Sequence, residues 1–175
     1  VDALIKSSAR IGEFPATIVM IIDETKGADA IVAYKSVFPN LQALNQSDVR
    51  IVLTPDSPSE TLARAILAHF ALPSLPPDWW IAETGAEGVY ERFKATSPEE
   101  KFAYVLWEPY VSRALENKGV HVLVDSSNIK GYIVDVLVAK REFLKEKTVL
   151  GESSSHEIGA LPVDVITRSI DRGSC

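Results

Sequence analysis

The chain has 175 residues, 46% hydrophobic and 24% charged, with a formal charge of −6 at pH 7. That length suits one domain burying roughly 70% of its unfolded surface, so a core forms without staples. The mild acidity and the lack of a Lys/Arg stripe exclude a nucleic-acid partner, whose phosphates need clustered cations, and no apolar stretch reaches the ~20 residues of a membrane span.

Val1 through Gly12 is weakly patterned, with Ala3 to Ile5 as a short strand at most. A chain opening on Val1 rather than Met reads as processed or truncated. Thr17 to Ile22 (TIVMII) predicts a strand ending at Asp23-Glu24-Thr25, and Lys26-Gly27 turns the chain into a second strand from Ala30 to Tyr34. Two strands joined this way either pair antiparallel or are linked by a crossing connection. Val37 to Gln46 predicts one or two helical turns with Leu41 and Leu44 facing the core. Val49 to Leu53 is the next buried strand.

The segment Thr54-Pro55-Asp56-Ser57-Pro58-Ser59-Glu60 then announces a helix: Ser57 as N-cap, Pro58 at N1, and Glu60 completing an S-x-x-E capping box. Leu62, Ala63, Ile66, Leu67 and Phe70 form its apolar face. A proline-rich loop from Leu72 to Pro77 closes it. Trp79 to Ala82 predicts a short strand, Thr84-x-x-Glu87 opens a helix through Phe93, and Ser97-Pro98-Glu99-Glu100 repeats the capping pattern before Phe102.

From Phe102 to Leu144 an apolar run stops at Trp107-Glu108-Pro109-Tyr110, a helix from Pro109 to Lys118 follows, and a second run stops at Asp125-Ser126-Ser127. A third run spans Tyr132 to Ala139. Buried runs alternating with a helix predict a β-α-β unit, hence an α/β protein with a mixed, mostly parallel sheet flanked by helices. Arg141 to Lys147 predicts a helix, and the polar tail after Gly151 holds one possible strand, Val163 to Thr167.

In open α/β sheets ligands sit just outside the carboxyl ends of the strands, which directs attention to two turns. Thr54, Ser57 and Ser59 offer hydroxyls and amides at a helix N-terminus, where an oxyanion is stabilised. Pro58 removes a donor there and Glu60 adds a negative charge, so plain helix capping explains the same residues. Trp107, Glu108 and Tyr110 place two rings about a carboxylate, as in a cleft wall. The plain alternative is a core Trp107 beside a solvated Glu108. The pair Trp79-Trp80 reads as packing beneath the proline loop.

His69, His121 and His156 lack the spacing of a helical metal site, and the single cysteine, Cys175, supports neither an internal disulfide nor a thiolate cluster. No nucleophile-elbow, P-loop or dinucleotide motif occurs. No metal, cofactor or catalytic residue is expected.

Two segments carry a family resemblance. Asp23-Glu24-Thr25-Lys26-Gly27-Ala28-Asp29-Ala30-Ile31-Val32-Ala33 matches a D-x-S-x-G-A-D-x-I-V-A stretch, with Thr25 keeping the hydroxyl of the usual Ser. Trp107-Glu108-Pro109 matches a W-E-P turn, and Ile133 to Val138 follows it. Together they resemble the solute-binding proteins of ABC transporters for nitrate, sulfonate, taurine and related solutes.

The resemblance implies a type II periplasmic binding protein fold, three-layer αβα in its lobes, and an extracytoplasmic, non-enzymatic receptor. Its solute would be sulfonate, nitrate, phosphate or similar, and its partner an ABC permease. It implies residues 1–31 as first-lobe remnant and hinge strand, 32–133 as the second lobe, 134–150 as returning hinge strand and helix, and 151–175 as an irregular tail. Asp23, Thr25, Gly27 and Asp29 would line the hinge side, with Thr54, Ser57, Ser59, Trp107, Glu108 and Tyr110 completing the ligand site. A ligand-sensing domain of a regulator is the alternative. An enzyme of the thiamine-precursor branch is disfavoured, since Cys175 alone supplies no cysteine-rich motif.

Overall fold

The computed structural model describes residues 16–72, 74–129, 131 and 133–144, together with Ala9 and Gly12. The chain divides into two compact units, one spanning Thr25–Ile133 and the other built from the segments on either side of it. The division expected after residue 31 falls inside a strand. The expected strands Ala3 to Ile5 and Val163 to Thr167 lie outside the described residues, as does the end of the helix expected over 141–147, whose residues 141–144 are helical.

In the flanking unit β1 (Ala16–Glu24) pairs antiparallel with β7 (Val134–Lys140), Asp23 facing Asp135 across the ladder. Between these two strands the chain forms a five-stranded sheet of order β4-β3-β5-β2-β6. Its strands are β2 (Asp29–Tyr34), β3 (Arg50–Leu53), β4 (Trp80–Ala82), β5 (Phe102–Trp107) and β6 (Val120–Asp125). The Lys26-Gly27 turn therefore carries the chain from one sheet into another, the crossing connection rather than a hairpin.

β3 pairs parallel with β4 and β5, while β2 runs antiparallel to both β5 and β6. Four strands thus share a direction and β2 alone opposes them, a mixed and mostly parallel sheet. β5 and β6 form the expected β-α-β run, but β2 lies between them. Successive side chains of a strand point to opposite faces, and two cores result. Ile31, Ala33, Ile51, Leu53 and Val105 meet one helix layer; Ala30, Val32, Val52, Tyr104 and Leu106 meet the other.

α1 (Pro58–Phe70) covers the first face through Leu62, Ala63 and Ile66, each fully buried. Burying a Leu or Ile side chain contributes about 1.5–3 kcal/mol, so this face anchors the helix firmly. α2 (Gly85–Ala95) and α3 (Tyr110–Leu115) cover the opposite face through Val89, Phe93, Val111 and Ala114. Tyr104 packs edge-on against Phe93, and burial pushes its hydroxyl pKa up to about 12.

Local expectations are met at some positions and corrected at others. The one or two turns expected over 37–46 are a single 3-10 turn, Leu41–Leu44, with Leu44 buried and Leu41 packed against the core as expected. Ser57 caps α1 by accepting from Ser59 N rather than from Glu60 N, and the Glu60 carboxylate takes Asp56 N, so the reciprocal capping box is not formed. Thr84 makes no side-chain cap bond; Gly85 follows it at φ 68°. Ser97 N donates to Glu100 Oε1 and Ser97 Oγ accepts from Glu99 N, yet the chain turns directly into β5 without a helix. α3 stops at Leu115, not Lys118, because Glu116 and Asn117 tighten to bonds with Arg113 O and Ala114 O. Trp79 and Trp80 both pack against the α1-side core, since Trp79 precedes the strand and escapes its alternation.

Candidate ligand site at the strand ends

Because β3, β4, β5 and β6 run the same way, their carboxyl ends at Leu53, Ala82, Trp107 and Asp125 lie along one edge of the sheet. β2 runs against them, so its first residue, Asp29, falls on that edge too. Asp29 pairs with Trp107, and the next residue, Ala30, pairs with both Leu106 and Asp125. The Ala28 carbonyl accepts from Glu108 N at 3.0 Å, tying the two expected motifs together.

The turn before β2 is held from the β6 side. Gly27, at φ 80° where an L side chain is strained, donates its amide to Ser126 Oγ at 2.8 Å. Thr25 N reaches Ile133 O at 2.9 Å. Ser126 is buried, at 2% exposure, and was not among the residues expected at the site. Its signal was present in the sequence: Asp125-Ser126-Ser127 terminates a strand as Thr54 and Glu108 do.

The β3–α1 turn supplies hydroxyls. Ser57 Oγ donates to Thr54 O at 2.6 Å and accepts from Ser59 N at 3.2 Å. Thr54 Oγ1 and Ser59 Oγ are both buried with no hydrogen-bond partner among the described residues. A buried hydroxyl without a partner costs about 1–3 kcal/mol, a cost that a bound acceptor or donor relieves. Glu60 is 8% exposed and also holds Arg64 Nε at 2.7 Å.

At the end of β5, Trp107 is half-buried and Glu108 exposed, its carboxylate accepting from Ser112 N at 3.2 Å and from Ser112 Oγ at 2.9 Å. Tyr110 is half-buried, its ring 5.4 Å from that of Tyr90 and beneath the Arg113 guanidinium. It belongs to the aromatic layer between α2 and α3. Thr25, Gly27, Asp29, Thr54, Ser57, Ser59, Trp107 and Glu108 thus gather at one edge, while Tyr110 is drawn toward the helices. Asp23 lies in the flanking unit, its Oδ1 accepting from Glu24 N at 2.7 Å.

No family model and no curated protein matches the chain. Solved structures do. The periplasmic aliphatic sulphonate binding protein SsuA of Escherichia coli superposes with a TM-score of 0.64 at 18% identity, over 85% of this chain and 48% of that one. The alkanesulfonate-binding protein SsuA of Xanthomonas axonopodis pv. citri, bound to MOPS, gives 0.57 at 16% identity, over 85% and 51%. The ligand binding component of an ABC-type import system from Staphylococcus aureus, with zinc bound, gives 0.55 at 14%, over 85% and 48%. The fold is that of the periplasmic binding proteins, and the chain spans about half the length of these neighbours. Those neighbours are binding proteins rather than enzymes.

Proposed function

We propose that this chain is a solute-binding component of an ABC-type importer, working outside the cytoplasm, and that it captures a small polar or anionic solute for a permease. The observation that carries the reading is the juxtaposition of the Gly27–Asp29 turn with the Trp107-Glu108 corner, beside two buried hydroxyls with no hydrogen-bond partner among the described residues. Groups at the ends of parallel strands and at a helix N-terminus hold small ligands by hydrogen bonds without any reaction. The solved neighbours support it: two are sulfonate-binding proteins and a third is the ligand component of an ABC import system.

In this reading Thr25–Ile133 forms one binding lobe, and β1 and β7 are the strands leading out of it. Thr54 Oγ1 and Ser59 Oγ donate to the solute, Trp107 supplies an apolar wall, and Asp29 and Glu108 fix the turns that shape the edge. Isothermal titration of the protein, with its whole coding sequence, against alkanesulfonates, taurine, nitrate, bicarbonate and phosphate tests it. Saturable one-to-one binding of at least one solute is expected. No heat from any of them overturns the reading.

A further inference from the structure

Asp56, in the turn between β3 and α1, has a φ of 54°, a backbone conformation that residues other than glycine rarely adopt. Aspartate tolerates it better than most, yet the conformation still favours return to negative φ unless its surroundings hold it. Glu60 supplies that hold. Its Oε2 accepts from Asp56 N at 2.8 Å and its Oε1 from Arg64 Nε at 2.7 Å. Arg64 in turn lies over the Trp79 ring, 5.7 Å from its centre, and Trp79 packs against the α1-side core. Glu60, only 8% exposed, is thus fixed at both carboxylate oxygens.

The turn closed in this way carries the two hydroxyls of the site. Ser57 Oγ donates to Thr54 O at 2.6 Å and accepts from Ser59 N at 3.2 Å, which ties Thr54 to Ser59 through Ser57. Ser59 is fully buried, and neither its Oγ nor Thr54 Oγ1 has a hydrogen-bond partner among the described residues. Asp56 stands between the two in sequence, so a change in its φ swings one donor away from the other. The Arg64 side chain is half exposed, and an ion pair in that setting adds little to overall stability. What the pair secures is geometry. Donors already in place spare the solute the cost of ordering them.

We propose that Glu60 is a positioning residue: braced by Arg64 against Trp79, it holds Asp56 in the left-handed conformation before solute arrives and so keeps the Thr54 and Ser59 hydroxyls together. This rests on the solute-binding reading above and states how that site is kept ready. Glu60 acts through the turn and does not touch the solute. Its removal therefore lowers the fraction of molecules able to bind, which slows association and leaves dissociation from the complex unchanged.

Calorimetry and stopped-flow tryptophan fluorescence on the protein with its whole coding sequence test this. The probe is the tightest binder among taurine, propane-1-sulfonate, nitrate, bicarbonate and phosphate. Glu60→Ala should raise Kd about tenfold, with association slowed by the same factor and dissociation unchanged. Glu60→Gln, which keeps an acceptor for Asp56 N, should stay within about threefold of the unmutated protein. Arg64→Met should weaken binding about threefold alone and no further in Glu60→Ala, because both act on the same turn. Circular dichroism checks that each variant folds. Amide exchange at Asp56 in the unmutated protein needs no variant: protection should be present without solute and change less than about threefold on saturation. An Asp56 amide protected only when solute is bound overturns the proposal, as does unchanged affinity in Glu60→Ala or a loss carried by faster dissociation. Silence toward all five solutes overturns the solute-binding reading and this inference with it. Binding with the wrong division between the two rates removes this inference alone.

Discussion

Asp29 and Trp107 face each other across the β2–β5 ladder, although one opens a strand early in the chain and the other closes a strand far along it. The pairing exists because β2 inserts between β5 and β6 against their direction, which sets its amino end beside their carboxyl ends. A buried carboxyl-bearing residue, a half-buried indole and the Ala28–Glu108 hydrogen bond then occupy one stretch of edge. If that stretch is where solute sits, removing the indole should weaken binding with little effect on folding.

Trp107→Ala is therefore expected to lower solute affinity by about tenfold or more, the range of a lost aromatic anchor. Calorimetry with the tightest-binding solute measures it, and circular dichroism checks the fold. Phe102→Ala, at the opposite end of the same strand, should leave affinity within about threefold of the unmutated protein.

Ser126 fixes the turn rather than the solute. Ser126→Ala leaves Gly27 N without its 2.8 Å acceptor in a part-buried setting. A loss of about 1–2 kcal/mol in urea unfolding is expected. Ser126→Thr, which keeps the oxygen, should recover part of it. Faster amide exchange at Gly27 in Ser126→Ala, slowed again in Ser126→Thr, is the local readout.

Alkaline pH should unfold the protein through Tyr104. Burial lifts its folded pKa to about 12, against roughly 10 in an unfolded chain. The proton is thus held more tightly by the folded state, so the associated stability is intact below pH 10 and is lost as pH rises toward 12. Two pKa units correspond to roughly 2–3 kcal/mol. Urea midpoints measured from pH 9 to 12 should fall, and Tyr104→Phe should flatten that fall.

Asp23 and Asp135 stand directly opposite on the β1–β7 ladder. Like charges in that relation destabilise a strand pair by roughly 0.2–1 kcal/mol. Asp135→Asn should therefore stabilise the pair by that order, read as slower amide exchange along β1. The gain should shrink as salt is added.

What the sequence revealed was what short range decides. Ser57 and Pro58 start α1 where expected, and Leu62, Ala63 and Ile66 are buried because their spacing follows the helical period. The apolar run from Ala103 to Leu106 is buried on both faces, as an uninterrupted strand should be. Long-range registry was not legible: nothing local states that β2 slots between β5 and β6, or that the Lys26-Gly27 turn changes sheets. The same limit hid the role of Ser126: its place at a strand end was legible, but its partner Gly27 is distant in sequence. Glu60 deceived for another reason, because a capping-box pattern fixes which residues are near the helix start but not which amide the carboxylate takes.

The most direct measurement is amide chemical-shift mapping of the isotopically labelled protein during titration with taurine and propane-1-sulfonate. The largest shifts should fall on Gly27 to Asp29, Thr54 to Ser59, and Trp107 with Glu108, in one saturable transition. Shifts centred instead on the opposite ends of the same strands, around Arg50 and Phe102, or spread evenly over the sheet, would contradict a ligand site at the carboxyl edge.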